Sequence, residues 1–206
     1  MTLDDTARSP RSGGYANGRA RREQILDAAM ALFGEVGYRS ASLREIAARS
    51  GISHPGLLHH FPTKEALLLA TLERRDEIDA SGMNEDGDGD DGVGLLRRLV
   101  ALVELNSRRR GVVELYAALS AEATSADHPA HEYFLERYRR TIAAVSRAFA
   151  LAREQGALRP GVDPALAGAQ LVALMDGLQL QWLLDGRTDM PGAVRAQIES
   201  QLTVPL

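Results

Sequence analysis

The chain has 206 residues, 45% hydrophobic and 25% charged, a balance that fits one large globular domain or two small ones and excludes wholesale disorder and fibrous repeats. With 24 basic and 28 acidic residues the net charge is −4, so any grip on nucleic acid or an anionic surface has to be local. There is no cysteine, which removes disulfides, thiolate metal sites and cysteine nucleophiles, and accords with a reducing, cytoplasmic setting. No apolar run approaches the roughly 20 residues needed to cross a bilayer. Residues 1–18 are polar and carry Asp4 and Asp5, so they read as a disordered arm and not as a secretory leader.

Charge is uneven along the chain. Through Arg75 there are 11 basic and 8 acidic residues, and after it 13 and 20. A small basic head on an acidic body would give this asymmetry.

From Arg19 to Val36 the residues Ile25, Ala28, Ala29, Leu32 and Phe33 recur at helical spacing, with Gly34 and Gly37 as stop signals. Ser42 and Glu45 then form a Ser-x-x-Glu box, which predicts a short second helix with Leu43, Ile46 and Ala47 on its apolar face. Ser50 and Gly51 end it, Ser53 is placed to cap a third helix, and Pro55 falls in that helix's first turn, where a missing amide is harmless. Phe61 and Pro62 close the third helix, and Thr63 can cap a fourth running from Lys64 through the connecting segment 65–80. The stretch SGMNEDGDGDDGVG that begins at Ser81 has almost nothing to bury, so 81–92 reads as a flexible acidic linker. After it, the segments 93–108, 111–124, 128–155, 163–185 and 191–202 have helical periodicity or composition, with no hairpin signal. The fold class is therefore all-α, a head of three helices at 19–64 joined to a larger helical body at 93–206.

Two short helices joined by a turn containing Gly51 and braced by a longer helix match a helix-turn-helix, in which one helix fits the B-DNA major groove and its partner holds the backbone. The strings REQILDAAMALFGEVGY, SLREIAARSGIS and LLHHFPTKEALL, ending at Leu68, resemble the head of the tetracycline-repressor-like (TetR) family of bacterial transcriptional regulators. Weaker similarity runs through GALRPGVDPALAGAQLVALMDGLQLQWLLDG. The resemblance implies that Ser53 to His60 is the recognition helix, with His54, Pro55 and Gly56 toward base edges. It also implies that Leu58, His59 and His60 lie along the groove wall and phosphates, and that Leu57 and Phe61 point inward. Arg44 would reach a base or phosphate, Lys64 a phosphate, and the helix starts at Ser42 and Ser53 would offer amides to phosphate oxygen. Gly56 and Leu58 depart from the hydroxyl residue and tyrosine common in the family. Histidine then carries more of the contact, and operator affinity is expected to rise between about pH 7.5 and 6.

The body's helix 163–185 carries one stripe of Leu171, Leu174, Met175, Leu178 and Trp182, and a second apolar set of Leu166, Ala169, Ala173, Leu180 and Leu184. Cover is needed on more than one side, so the second set is expected to be a subunit interface. The family resemblance adds Ile198, on the last helix, and a homodimer whose two heads, about 34 to 36 Å apart, read a palindromic operator. It also implies a small-molecule cavity. The candidates are Leu105, Tyr116, Leu119, Ser120, Phe134, Tyr138, Met175, Asp176 and Gln179, with Glu122 as a further polar group and Phe149 as a further apolar one.

Other motifs read as structural. Asp86, Asp88 and Asp90 alternate as in an EF-hand, but Asp91 and Arg97 stand where the sharp-turn glycine and bidentate glutamate belong. His128 and His131 fit a helix start better than a metal pair, and Arg108 to Arg110 fits a helix end. No glycine-rich phosphate loop, nucleophile elbow or acid pair points to an enzyme, and no cofactor or metal is expected. The reading is a ligand-responsive, DNA-binding repressor released by a small apolar molecule. The alternatives are a helical ligand-binding or metabolic protein without DNA binding, and an architectural DNA binder without an effector.

Overall fold

The computed structural model describes residues 12–84 and 91–206, and among them there are nine helices and no strand. They are α1 (Ser12–Ser40), α2 (Leu43–Arg49), α3 (His54–His60), α4 (Lys64–Asn84), α5 (Gly92–Asn106), α6 (Arg110–Glu122), α7 (His131–Glu154), α8 (Pro164–Asp185) and α9 (Met190–Glu199). Two predicted boundaries shift. The arm read as disordered is helical from Ser12, and the acidic linker does not begin at Ser81 because α4 continues to Asn84. Residues 1–11 of the arm, and residues 85–90 with the EF-hand-like aspartates, lie outside the described residues.

Local chemistry sets the joints of the head. Gly37 breaks α1 with φ 77° and ψ 161°, a conformation open in practice only to glycine. Ser42 accepts the Arg44 amide at 3.2 Å and Ser53 accepts the Gly56 amide at 3.2 Å; Thr63 accepts the Ala66 amide at 3.1 Å, so each short helix starts on a hydroxyl cap. The expected reciprocal half of the capping box is absent: Glu45 instead accepts from Arg49 at 2.9 Å, and Arg49 also reaches Glu35 at 2.8 Å. Arginine at the last turn of α2 offers the carboxylate a charged donor, which outcompetes a neutral amide. Gly34 is no stop signal. Its α-carbon faces the backbone of Gly111, where an added Cβ would come within 3.2 Å of Gly111 carbonyl atoms, so the pair lets α1 and α6 cross closely.

Burial follows the apolar stripes. Ile25, Leu26, Ala29, Leu32 and Phe33 of α1 are fully buried against Ile46 and Ala47 of α2, Leu57 of α3, and Leu67, Leu68 and Leu72 of α4. The same cluster continues into the body through Leu115, Leu119, Ala123, Ala130 and Phe134. Head and body therefore share one core. A second cluster joins α5, α7, α8 and α9 around Leu96, Phe149, Leu171, Val194 and Ile198. The α7–α8 crossing is tight at Gly168, where a Cβ would stand 2.7 Å from the Ser146 amide nitrogen.

The motifs outside the candidate sites are structural. His128 Nδ1 accepts the Ala130 amide at 3.2 Å, and His131 Nδ1 lies 2.8 Å from the Ala123 carbonyl, so the pair ties the α6–α7 joint. Of the arginine run, Arg108 lies just beyond the end of α5 and pairs with Glu104 in its last turn. Arg110 instead opens α6, donating to the Leu183 carbonyl at 2.6 Å and covering the Trp182 ring.

Candidate nucleic-acid interface and body cavity

The periodicity of α3 divides it into two faces. Leu57 is fully buried and Phe61, its C-cap, is 4% exposed, which anchors the helix on the head core and turns the opposite side outward. Pro55 and His59 are exposed, and His54, Gly56, Leu58 and His60 are half-buried. Ser42, Arg44 and Ser53 are also exposed, at the starts of α2 and α3. Each of these candidates is therefore at least partly accessible to solvent. Lys64 is more constrained than the sequence suggested: its ammonium donates to the Arg39 carbonyl at 3.0 Å and sits 4.7 Å from the Tyr38 ring centroid. Burial lowers its pKa despite the neighbouring Glu65. Burial first, and then the charge of Glu65, which accepts its hydroxyl at 3.3 Å, push the Tyr38 phenol up to about 12. One cation was missed. Arg22 of α1 lies 5.2 Å from the Phe61 ring centroid, at the C-terminal end of α3, and its place in the α1 pattern gave no signal of that long-range contact.

The body holds a cavity of about 240 Å³ between α4, α6, α7, α8 and the end of α5. Six predicted residues line it: Tyr116, Ser120, Phe134, Tyr138, Asp176 and Gln179. Three do not. Leu105 is 42% exposed at the end of α5, whose neighbouring Asn106 faces the cavity, because one residue rotates a helix by about 100°. Leu119 is buried in the core shared with the head, and Met175 lines a small separate void with Leu178 and Val194. Glu122 faces the groove between α1 and α6, and Phe149 is fully buried in the second cluster.

Arg75, Asp79, Asn106 and Arg137 also line the cavity and were missed. A signal existed for the first two: Leu68, Leu72, Arg75 and Asp79 follow helical spacing, so the charged pair continues the buried stripe of α4. Arg75 pairs with Asp79 and donates to Asn106 at 3.0 Å. Burial holds the Asp79 carboxyl above its usual range even against Arg75. Arg137 Nε donates to Asp76 at 3.1 Å, and the Tyr133 hydroxyl donates to the same carboxylate at 2.6 Å. Burial works against the Arg137 charge, but Asp76 and the two tyrosines more than offset it and its pKa is raised. Tyr116 donates to the Leu72 carbonyl at 3.1 Å, so the cavity wall is hydrogen-bonded directly to α4.

On α8, Leu166 is 56%, Leu180 58% and Leu184 80% exposed. Ala173 is exposed with them, whereas Ala169 is half-buried. Ile198 is not on this surface: it is fully buried, because Met190, Val194 and Ile198 form the inward stripe of α9.

Fold and sites together define a helix-turn-helix head carried on a cavity-bearing helical body. Residues 25–71 match the family described as bacterial regulatory proteins, tetR family, and residues 94–204 match the C-terminal part of BetI-type transcriptional repressors. The chain belongs to the tetR family of bacterial regulatory proteins. It is 28% identical over 174 residues to the A-factor receptor protein of Streptomyces griseus, covering 82% of this chain and 58% of that protein's length. Among solved structures, it resembles a transcriptional regulator from Saccharomonospora viridis in complex with choline, with 26% identity and a TM-score of 0.73, covering 90% of this chain and 98% of that one. It also resembles SmeT, the repressor of a Stenotrophomonas maltophilia multidrug efflux pump, in complex with triclosan. The identity is 26% and the TM-score 0.74, covering 90% of this chain and 95% of that one.

Proposed function

We propose that the chain is a homodimeric transcriptional repressor that reads a palindromic operator through α2 and α3 and is released when a small molecule enters the body cavity. The observation that carries this reading is α3 itself, anchored by Leu57 and Phe61 and presenting Pro55 and His59 outward on a helix narrow enough for a major groove. Arg44, Ser42, Ser53, His54, Gly56, Leu58, His60 and Lys64 complete the proposed DNA face. The exposed leucines of α8 are its proposed dimer contact, which would set two heads about 34 to 36 Å apart.

Release would act through α4. Its first residue, Lys64, follows α3 after only Phe61, Pro62 and Thr63, while Arg75 and Asp79 line the cavity. Phe134 belongs both to the cavity wall and to the core shared with the head. A ligand that favours one setting of these contacts shifts the population of head spacings, and roughly 1 to 3 kcal/mol of coupling suffices. The structural relatives bound to choline and to triclosan support small-molecule control. In this reading the protein works in the cytoplasm and is not an enzyme.

A gel shift with DNA flanking its own gene tests the proposal. Binding should fall with salt, with the slope of several phosphate contacts. No shift on any fragment of that locus would leave a helical ligand-binding protein. A shift that no cavity ligand reverses would leave an architectural DNA binder.

A further inference from the structure

The charges lining the cavity do not cancel evenly. Of its four ionic side chains, Arg75 and Asp79 neutralise each other, and Arg137 is held from behind by Asp76. Asp176 differs. Among the described residues its carboxylate has no cationic partner within ion-pair distance, and its hydrogen bond is to a neutral phenol, the Tyr138 hydroxyl at 2.9 Å. Burial raises its pKa, only partly offset by Tyr138 and by Arg137 farther off. The residue itself is nonetheless exposed, so its carboxylate stands open to solvent at the cavity without a counter-charge and attracts a cation brought to it.

The rest of the wall sets the body of the guest. Tyr116 and Phe134 meet edge to face with centroids 6.1 Å apart, and Val112, Val113, Ala117 and Leu180 add apolar surface. The Tyr116 ring face is already covered by the Arg137 guanidinium, 5.0 Å from its centroid, so the aromatic wall serves the guest's apolar body and its cationic head is left to Asp176. The volume of about 240 Å³ lies below the usual range for drug-sized ligands, which restricts the guest to a compact molecule. We propose that the cavity takes a small protonated amine with an apolar or aromatic body, its cationic head on the Asp176 carboxylate and its body against Tyr116, Phe134 and Val113. This inference rests on the ligand-responsive reading above and narrows its effector to one charge class.

The test titrates the full-length protein calorimetrically with three molecules matched in size: 2-phenylethylamine, 2-phenylethanol and 3-phenylpropionate. The amine should bind at least about tenfold more tightly than the other two. D176N, which keeps the side-chain shape beside Tyr138, should bring amine affinity down to that of the alcohol and leave alcohol affinity unchanged. D185N, at the end of α8 and outside the cavity, should change neither. Equal affinity for all three probes, binding of none of them by folded protein, tighter binding of the acid, or an amine preference that survives D176N would each overturn the assignment. Gel shifts on the native locus with wild type and D176N separate the two levels. If DNA binding persists while the amine preference is missing, the charge class is wrong and the regulator reading stands. If the amine preference is present without DNA binding, the regulator reading fails and the cavity assignment stands.

Discussion

At the level of single residues, the head depends on a few atoms whose loss has a calculable effect. Gly37 holds φ at 77° with ψ at 161°, so Gly37→Ala should cost about 1–3 kcal/mol, read as a lower urea midpoint at unchanged m-value. Ser53 caps α3 through the Gly56 amide. Ser53→Ala should lower stability by about 1 kcal/mol and weaken operator binding further, because the proposed recognition helix frays at the end facing the groove. His59 and His60 stack edge to face at 5.8 Å on the surface of α3. A variant with His54, His59 and His60 all replaced by glutamine should bind the operator more weakly by gel shift, as the proposed groove and phosphate contacts require. Equal affinity for wild type and the variant would remove the idea.

Between elements, glycine sets how closely helices approach. Gly168 lets α8 cross α7 at Ser146, where an added Cβ would meet both the hydroxyl and the backbone nitrogen. Backbone cannot swing aside as a side-chain end can, so Gly168→Val should destabilise the body by about 1–3 kcal/mol or more by thermal unfolding. Gly34 and Gly111 play the corresponding part between head and body. Sequence reading took Gly34 for a helix stop, because composition marks a glycine without saying whether it serves a turn or a crossing. The capping box was misjudged for a similar reason. Ser42 does cap α2, but Glu45 turns to Arg49, and that arginine's position relative to Glu35 depends on how α1 packs on α2.

For the whole molecule, the shared core explains how a body can govern a head. Phe134, Leu115 and Leu119 pack with Phe33 and Leu68 in one cluster, so the head has no separate floor on which to move independently. The exposed row Leu166, Ala173, Leu180 and Leu184 is the broadest apolar departure from this burial on α8. Scattered apolar residues on a surface are ordinary, but a row on one helix face fits a partner copy. Leu166→Asp combined with Leu184→Asp, both outside the cavity, should convert a dimer to a monomer by light scattering, with little loss of monomer stability and severe loss of operator affinity. A variant that remains dimeric would move the interface elsewhere.

The sequence by itself determined the helices, their caps and the outward face of α3, since these follow from spacing within one segment: apolar residues every three or four positions, a hydroxyl before each short helix, and Leu57 and Phe61 one turn apart. Only the tertiary structure decided which polar groups meet. Arg75, Asp79, Asn106 and Arg137 come to one cavity from three helices, Ile198 turns inward, and Leu105 turns out. The physical reason is that periodicity fixes a side chain's angle around its own axis. What lies opposite depends on the crossing of two axes, which close contacts such as Gly34 with Gly111 set and no single segment encodes.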